Sequence, residues 1–274
     1  MSMSIFNKEL LKAKTALITG GGSGICKGIA TAFAAHGCQV VIMGRRSDVL
    51  VETCNEITAA GGKAAWVAGD VRNIEDCERA VATTIKEFGG LDILLNGAAG
   101  NFLCPTEHLS SNGFKTVIDI DLLGTFNMSK AGFEPLKKSS GAVILNISAT
   151  LHYQGTIMQS HVMAAKAGVD ALARNLACEW GEYGIRVVTI APGPIGDTEG
   201  MRRLAPLGAD KKVASEIPLR RLGAIADISN AALFLVSSAA SYITGEILVV
   251  DGGHWLSKPA FVPKETWEKL NAKR

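Results

Sequence analysis

The chain has 274 residues, of which 47% are hydrophobic and 20% are charged, and its formal net charge is +2. A chain of this length can bury a sizeable core, and we expect one domain over residues 1–274. The near-neutral charge gives no electrostatic case for nucleic acid or an anionic membrane as the main partner. No apolar run reaches the ~20 residues that span a bilayer. We therefore expect neither nucleic-acid binding nor membrane insertion.

The cysteines and the two termini bear on location. The six cysteines form no CxxC pair and no Cys/His cluster with zinc-ligand spacing. We therefore expect reduced thiols in an intracellular protein, with no bound metal. The segment 1–14 lacks an apolar core followed by a small-residue cleavage site, so we expect no secretory signal. The final Ala-Lys-Arg matches a peroxisomal Ser-Lys-Leu signal only weakly. We expect a peroxisomal location in a eukaryotic host and a cytoplasmic one in a bacterium.

Short apolar runs alternate with helical stretches along the chain. Strands are predicted at 15–19, 39–43, 64–68, 91–95, 141–147, 186–190 and 247–250, and helices at 29–35, 47–60, 74–88, 113–133 and 161–182. Apolar strands that alternate with helices are typical of a parallel sheet covered on both faces. We predict an α/β fold: a Rossmann-like, doubly wound parallel sheet in one three-layer α/β/α domain. Its cofactor half spans about 12–150, an excursion at 193–217 covers the active site, and the tail after Trp255 is irregular.

A glycine-rich turn, GGGSG at 20–24, directly follows the first predicted strand and opens the first helix. The free N–H groups and the positive dipole of a helix N-terminus bind a pyrophosphate, and glycine lets the backbone approach it closely. A turn in this strand–turn–helix context predicts a dinucleotide site. Its predicted contacts are Gly20, Gly22, Ser23, Gly24 and Ile25.

The end of the second predicted strand distinguishes between two cofactors. An acidic residue about 20 positions beyond the glycine turn binds the ribose 2′-hydroxyl of NAD, whereas arginine accommodates the 2′-phosphate of NADP. This chain has Arg45 and Arg46, with no acidic residue before Asp48. NADP(H) is therefore the predicted cofactor; Arg45 is the better candidate because Arg46 can also be a solvated surface charge. Asp70, which ends the third predicted strand, either accepts a hydrogen bond from the adenine amino group or is a turn residue.

Several motifs in chain order resemble the short-chain dehydrogenase/reductase family. They are TGGGSGI at 19–25, DVR at 70–72, NGAAG at 96–100, Lys166 on a helix and PGPI at 192–195. The resemblance implies that Lys166 hydrogen-bonds the nicotinamide ribose and that the PGPI segment contacts the nicotinamide amide. The further cofactor contacts that it implies are Val71, Asn96, Ala98, Pro192, Gly193, Ile195 and Thr198.

Three positions depart from the pattern of that family. Cys26 replaces the third glycine of the turn, and we expect the small thiol to be tolerated. Val162 stands at the position of the catalytic tyrosine and Ala149 at that of its serine partner. An alcohol or ketone reductase needs an acid there to protonate an alkoxide. The nearby His152 and Tyr153 are out of register and are interpreted as loop residues. The chain is therefore either inactive or runs chemistry that forms no alkoxide.

The second alternative fits a narrower resemblance, to the peroxisomal 2,4-dienoyl-CoA reductases. It rests on AAGNFLCP (98–105), FKTVIDID (114–121), GTFN (124–127), SHVMAAKAGVDA (160–171) and APGPIGDTEGMRRL (191–204). That family also lacks the tyrosine, and in it an aspartate works with the lysine. The matching catalytic residues are Asp121 and Lys166, although Asp121 can also be a buried carboxylate satisfied by Lys166 or the backbone. Asp119 is interpreted as structural.

The narrower resemblance also implies a reaction. NADPH gives hydride to the δ-carbon of a 2,4-dienoyl-CoA, charge moves onto the thioester oxygen, and protonation at the α-carbon yields a 3-enoyl-CoA for β-oxidation of unsaturated fatty acids. Asp121 is expected to hold the water that supplies this proton. A homo-oligomer, tetramer or dimer, is expected through helices near 113–133 and 161–182. The implied contacts to the acyl-CoA are Arg72, Phe102, Ser110, Ser111, Asn112, His161 and Arg203, with Arg202 near the entrance.

Two alternatives stay open at the level of sequence. One is a broader acyl-thioester reductase for 3-ketoacyl or 2-enoyl substrates, although the absent tyrosine argues against the ketone version. The other is a catalytically silent, NADP-binding scaffold. The intact Lys166 and the full dinucleotide motif argue against the scaffold.

Overall fold

The structure, a computed structural model, describes residues 5–204, 210–257, 266, 268 and 269, and at 203 and 204 it describes the backbone alone. Parallel strands form one sheet within these residues: β1 Thr15–Thr19, β2 Gln39–Gly44, β3 Lys63–Ala68, β4 Ile93–Asn96, β5 Val143–Ile147, β6 Arg186–Pro192 and β7 Ile247–Val250. Their order is β3-β2-β1-β4-β5-β6-β7. The order reverses between β1 and β4, and ligands of open α/β sheets bind at the carboxyl ends of the strands beside such a point.

Helices cover both faces of the sheet. They are α1 Gly24–Ala35, α2 Ser47–Ala59, α3 Ile74–Phe88, α4 Ser111–Ile118, α5 Gly124–Lys138, α6 Ser160–Trp180, α7 Glu199–Leu204, α8 Asp210–Glu216 and α9 Ile225–Val236. One core layer packs the sheet against α1, α2 and α9, and the other packs it against α3, α5 and α6. Among the described residues, no helix is both long enough and apolar enough to cross a membrane.

Strand β1 shows why the apolar runs are continuous. Ala16 and Ile18 enter the layer with α1 and α9, whereas Leu17 enters the opposite layer. Successive side chains of a strand point to opposite faces, so a strand that is covered on both sides needs apolar residues at every position. The predicted parallel α/β fold, covered on both faces, is confirmed.

Some predicted boundaries were wrong. The strand predicted from Gly141 begins at Val143, because Gly141 has φ +81°, a left-handed conformation that ends the preceding connection. The predicted excursion 193–217 contains two helices, α7 and α8. The helix α9 was not predicted at all: its run AALFLV at 231–236 is apolar on every side, which hides the helical period. The side chain of Asp227 caps this helix by accepting the Ala224 N–H at 2.8 Å.

Candidate active site

The glycine turn lies at the carboxyl end of β1, at the switch point of the sheet. Gly20 has φ +69°, and a Cβ built there would lie 2.8 Å from the Gly97 carbonyl oxygen. A Cβ on Gly24 would meet nothing within 4 Å, so this residue faces open space in front of α1. The turn thus leaves the N-terminus of α1 accessible, as a bound pyrophosphate requires.

Three adjoining cavities follow the carboxyl edge of the sheet in the described part of the chain. Their volumes are about 340, 340 and 480 Å³, and Ala99 lines all three, so they form one channel. Most of the predicted cofactor contacts line this channel: Gly20, Gly22, Ser23, Gly24, Ile25, Arg45, Arg46, Asp70, Val71, Ala98, Lys166, Pro192, Gly193 and Thr198. A dinucleotide therefore fits the residues present.

Two of the predicted cofactor contacts lie elsewhere. Asn96 is buried and its amide donates to Asn146 Oδ1 at 2.9 Å and to Ser129 Oγ at 3.1 Å, which ties β4 to β5 and α5. Ile195 is buried in the core layer with α1 and α9. Neither residue lines the channel in this structure.

The end of the channel beside β2 carries the residues that were predicted to select the cofactor. Arg45 and Arg46 are exposed there, and Arg46 Nη2 lies 3.8 Å from Glu199 Oε2 on α7. Among the described residues that line this end, Asp70 is the only acidic one. Arginine at this end suits a 2′-phosphate better than a free 2′-hydroxyl.

Asp70 and Arg72 form an ion pair beside this cavity. The Arg72 Nη2 donates to Asp70 Oδ2 at 2.6 Å, and its Nε donates to Oδ1 at 3.0 Å. Hydrogen bonding by Arg72 holds the pKa of Asp70 below its usual value, although burial opposes it. The predicted adenine contact and the predicted substrate contact thus engage each other in this structure.

The catalytic pair predicted from the sequence comes together in the third cavity. Asp121 Oδ1 accepts the Gly100 N–H at 2.7 Å, and Asp121 Oδ2 lies 3.0 Å from Lys166 Nζ. Lys166 Nζ also donates to the Ile147 carbonyl oxygen at 3.0 Å. The residues are 0% and 6% exposed. A buried ion pair survives desolvation only with such additional hydrogen bonds.

Asp121 owes its orientation to an irregularity in the helix that was predicted at 113–133. The regular helices α4 and α5 flank a π-helical turn, Asp119–Leu123. Such turns are frequent at functional sites, because the extra residue rotates the side chains that follow. Asp121 is buried in this turn, whereas Asp119 forms an ion pair with Lys115 on the surface side. The predicted stretch 113–133 is helical throughout, but the π-helical turn within it was not predicted.

The positions of the missing tyrosine and serine lie in the wall of the same cavity. Val162 and Ala149 both line it. Because both side chains are aliphatic, neither offers a titratable group to the cavity. His152 and Tyr153 are not among its described lining residues; His152 Nε2 lies 2.8 Å from Asp170 Oδ2, and the Tyr153 ring packs against Trp255. The cavity thus has a lysine and an aspartate but no phenol at the tyrosine position.

Sequence reasoning missed polar residues next to the motifs that it used. Ser148, one residue before Ala149, lines the cavity, and its buried Oγ has no hydrogen-bond partner among the described residues. Asn101 follows the NGAAG motif, lines the same cavity and donates to Gln159 Oε1 at 2.7 Å. Adjacency to a motif at the end of a strand was the signal that could have identified both.

None of the predicted substrate contacts whose side chains are described lines the three cavities. Phe102 is 41% exposed, and its ring centroid lies 4.3 Å from that of His161. His161 is fully buried, and neither ring nitrogen has a hydrogen-bond partner among the described residues. Burial lowers its pKa, so the imidazole is neutral at pH 7.

The loop before α4 and the helix α7 carry the remaining predicted contacts. Ser110 Oγ accepts the Gly113 N–H at 3.0 Å and caps α4, and Ser111 and Asn112 are exposed in its first turn. Arg203 lies on α7, but its side chain is outside the described part of the chain, as is the C-terminal Ala-Lys-Arg. Among the described residues, no group of three or more His, Cys, Asp or Glu could hold a metal ion.

The sheet order, the glycine turn after β1 and the lysine on α6 define an oxidoreductase class. A family model described as "Enoyl-(Acyl carrier protein) reductase" matches residues 20–254, and the chain belongs to the short-chain dehydrogenase/reductase family. Among its relatives, it is 50% identical to a peroxisomal 2,4-dienoyl-CoA reductase, (3E)-enoyl-CoA-producing, of Arabidopsis thaliana, over 98% of this chain and 93% of that protein. The resemblance inferred from the motifs is thereby confirmed.

A bacterial relative and two solved structures extend this comparison. A probable 2,4-dienoyl-CoA reductase, (2E)-enoyl-CoA-producing, of Bacillus subtilis is 42% identical over 92% of this chain and 100% of that protein. A short chain dehydrogenase from Bacillus anthracis has a TM-score of 0.83 at 42% identity and covers 91% of this chain and 100% of its own. A 7α-hydroxysteroid dehydrogenase complexed with NADH and 7-oxo glycochenodeoxycholic acid has a TM-score of 0.86 at 35% identity, covering 91% and 98%.

Proposed function

We propose that this protein is an NADPH-dependent reductase of 2,4-dienoyl-CoA thioesters, which forms a 3-enoyl-CoA in the β-oxidation of unsaturated fatty acids. The observation that carries the proposal is the buried pair of Asp121 and Lys166, in a cavity where Val162 and Ala149 replace the tyrosine and serine of an alkoxide-forming reductase. The names of the relatives support the same substrate class.

NADPH is the proposed cofactor because Arg45 and Arg46 directly follow β2 at the adenosine end of the channel, where an acidic residue would bind the 2′-hydroxyl of NAD. The turn 20–24 would hold the pyrophosphate, and Lys166, Pro192 and Gly193 would lie along the nicotinamide half. When bound, NADPH supplies a hydride to the δ-carbon of the substrate. The protein contributes the orientation of the two reactants within one channel.

The conjugated thioester explains why no phenol is needed. Hydride at the δ-carbon moves the electron pair through the conjugated system, and the charge reaches the thioester oxygen instead of forming an alkoxide. The cation of Lys166 stabilises negative charge that develops in this cavity. The proton donor that completes the reaction therefore has to deliver its proton to the α-carbon, not to an oxygen.

Asp121 is the group that can hold the proton source. An ionised carboxylate accepts hydrogen bonds but donates none, so the proton has to come from a water that the carboxylate orients. The Gly100 N–H and Lys166 Nζ fix both carboxylate oxygens. The water gives its proton to the α-carbon, solvent restores that proton, and the net reaction consumes one hydride and one proton.

The remaining walls of the third cavity suit an acyl chain. They carry large apolar side chains from five segments: Leu151, Val162, Met201, Val213 and Trp255. Burial of methylene groups against such walls supplies binding energy for the chain. Helices α7 and α8, which carry Met201 and Val213, cover the acyl chain in this proposal.

Further parts of the proposal concern the CoA moiety and the assembly. Arg72, Arg202 and Arg203 would contact its phosphates, and the loop with Phe102 and the segment 110–112 would grip the thioester end. We also propose a homo-oligomer, tetramer or dimer, and a peroxisomal location in a eukaryotic host. Sedimentation of the purified protein and microscopy of a tagged chain test these two statements.

A direct assay tests the function. The protein is mixed with NADPH and 2,4-hexadienoyl-CoA, and the loss of nicotinamide absorbance is followed. We expect turnover, with the product double bond at the 3-position by NMR; a 2-enoyl product would instead match the name of the Bacillus subtilis relative. Turnover of a 3-ketoacyl-CoA but not of the dienoyl-CoA would contradict the proposal. Binding of NADPH without turnover of any thioester would favour the scaffold alternative.

A further inference from the structure

A second buried polar pair, His152 with Asp170, lies beside the acyl cavity and has no part in the proposed chemistry. His152 Nε2 lies 2.8 Å from Asp170 Oδ2, and the two side chains are 14% and 3% exposed. Asp170 lies on α6 one helical turn after Lys166. The helix that carries the active-site lysine therefore also holds His152.

His152 in turn packs against Tyr153, and Tyr153 packs against Trp255. The ring centroids lie 4.5 and 5.3 Å apart, both in edge-to-face geometry. Burial, together with the nearby Asp170 carboxylate, raises the pKa of the Tyr153 phenol to about 12. The phenol is therefore neutral at physiological pH, and its ring packs between His152 and Trp255.

The segment around this pair forms a wall of the acyl cavity. Leu151, Gln154, Gly155 and Thr156 line the cavity, as does Trp255. The segment holds only a single short helical turn, Leu151–Tyr153, and Gly155 has φ +66°. Its shape therefore depends on side-chain ties to α6, of which the His152–Asp170 bond is one and the contact of the Thr156 N–H with Met163 Sδ at 3.1 Å is another.

We infer that His152 and Asp170 are positioning residues that hold, through Tyr153 and Trp255, the cavity wall against which the acyl chain packs, and that they thereby set the preference for acyl chain length. The inference rests on the proposed function for the identity of the substrate. Each buried methylene group is worth about a fourfold change in affinity. A wall that is displaced by loss of the His152–Asp170 hydrogen bond therefore penalises long chains more than short ones.

The test compares two substrates that differ only in chain length. Values of kcat and KM are measured at saturating NADPH with 2,4-hexadienoyl-CoA and 2,4-decadienoyl-CoA. For His152→Ala we expect KM for the decadienoyl substrate to rise about tenfold, but KM for the hexadienoyl substrate to rise about twofold at most, since fewer methylene contacts are lost. His152→Gln, whose amide can donate to Asp170, should restore most of the long-chain KM.

Tyr153 offers a matched pair of variants that leave both His152 and Asp170 in place. Tyr153→Ala removes the ring between His152 and Trp255 and should reproduce the long-chain defect, whereas Tyr153→Phe keeps the ring and should not. Equal rises in KM for both substrates, or an unaltered decadienoyl KM in folded His152→Ala and Tyr153→Ala, would overturn the inference. If His152→Ala does not fold, Tyr153→Ala makes the same test.

A second readout is independent of turnover. The fluorescence difference between each protein and its Trp255→Phe counterpart isolates the emission of Trp255. We expect this emission to shift to the red and to become more accessible to acrylamide in His152→Ala, but not in Tyr153→Phe. If the wild type is inactive but His152→Ala shows this shift, the proposed function is refuted and the positioning role is retained. If the wild type is active but His152→Ala shows no shift, the positioning role alone is refuted.

Discussion

The carboxylate of Asp121 and the ammonium group of Lys166 lie 3.0 Å apart in the interior, and each has a further backbone partner. Gly100 donates its N–H to Asp121, and the Ile147 carbonyl accepts from Lys166. The pair is thus held from the ends of β4 and β5 as well as from its own helices. This arrangement makes separate predictions for catalysis and for stability.

Asp121→Asn should lower kcat by at least ~100-fold, because loss of a group that positions the proton source costs that much. NADPH affinity should stay within about twofold. The amide is similar in size to the carboxylate, and the substitution removes no hydrogen bond at the adenosine end of the channel. Steady-state kinetics and NADPH fluorescence titration measure the two quantities.

Asp119→Asn is the matched control for this variant. Asp119 lies in the same π-helical turn but pairs with Lys115 outside the cavity. Its replacement should leave kcat nearly unaltered. An active Asp121→Asn enzyme would remove Asp121 from the mechanism.

Lys166→Met should destabilise the folded protein by ~3–5 kcal/mol at neutral pH, because it leaves the Asp121 carboxylate buried without its cation. In the double variant with Asp121→Asn, that charge is also gone, so part of the lost stability should return. Urea unfolding of the four proteins forms a double-mutant cycle. Additive effects of the two changes would show that the pair is not coupled.

Arg45→Ala should raise KM for NADPH by about tenfold or more, the value of one lost hydrogen bond to a charged group, and should leave KM for NADH nearly unaltered. Arg46→Ala should act less, since Arg46 already lies near Glu199. Initial rates with both cofactors measure the change in preference. Lys63→Ala is the control, because Lys63 is exposed at the start of β3, whereas the cofactor residues lie at the carboxyl ends of the strands. An equal loss with both cofactors would contradict a 2′-phosphate contact.

His161 makes a prediction about pH. Burial holds its pKa below the ordinary value of 6.5, so the unfolded chain takes up this proton at a higher pH than the folded chain does. The stability of the wild type relative to His161→Gln should therefore fall as the pH drops through 6.5, and level off below the folded pKa. At neutral pH, the proton linkage of His161 should contribute nothing. Urea unfolding of both proteins at a series of pH values measures the difference. A difference that is independent of pH would contradict a depressed pKa.

Several parts of this account follow from short stretches of sequence. The order of β1, the turn 20–24 and α1 is encoded by apolar strand residues followed by glycines, and arginines replace the acidic residue after β2. These are local signals, since turn conformation and strand burial depend on neighbouring residues. The parallel sheet could likewise be predicted from apolar runs that alternate with helices.

Other features could not be predicted from local pattern. The second half of helix α9, the run AALFLV at 231–236, is apolar on every side, and the place of this helix against α1 is a tertiary contact. The π-helical turn that buries Asp121 inside a stretch of regular helical sequence depends on how α4, α5 and α6 pack. The ion pair of Arg72 with Asp70 likewise needs the coordinates of both side chains.

The amino-acid sequence alone therefore determined the layered parallel fold, the position of the dinucleotide turn and the identities of Asp121 and Lys166 as candidates. Only the tertiary structure decided that these two side chains meet, that Val162 and Ala149 line the same cavity, and that His152 is tied to Asp170 beside it. The physical reason is that backbone conformation follows from neighbours in the chain. The distance between two charged groups, and their burial, follow from the packing of segments that are remote in sequence.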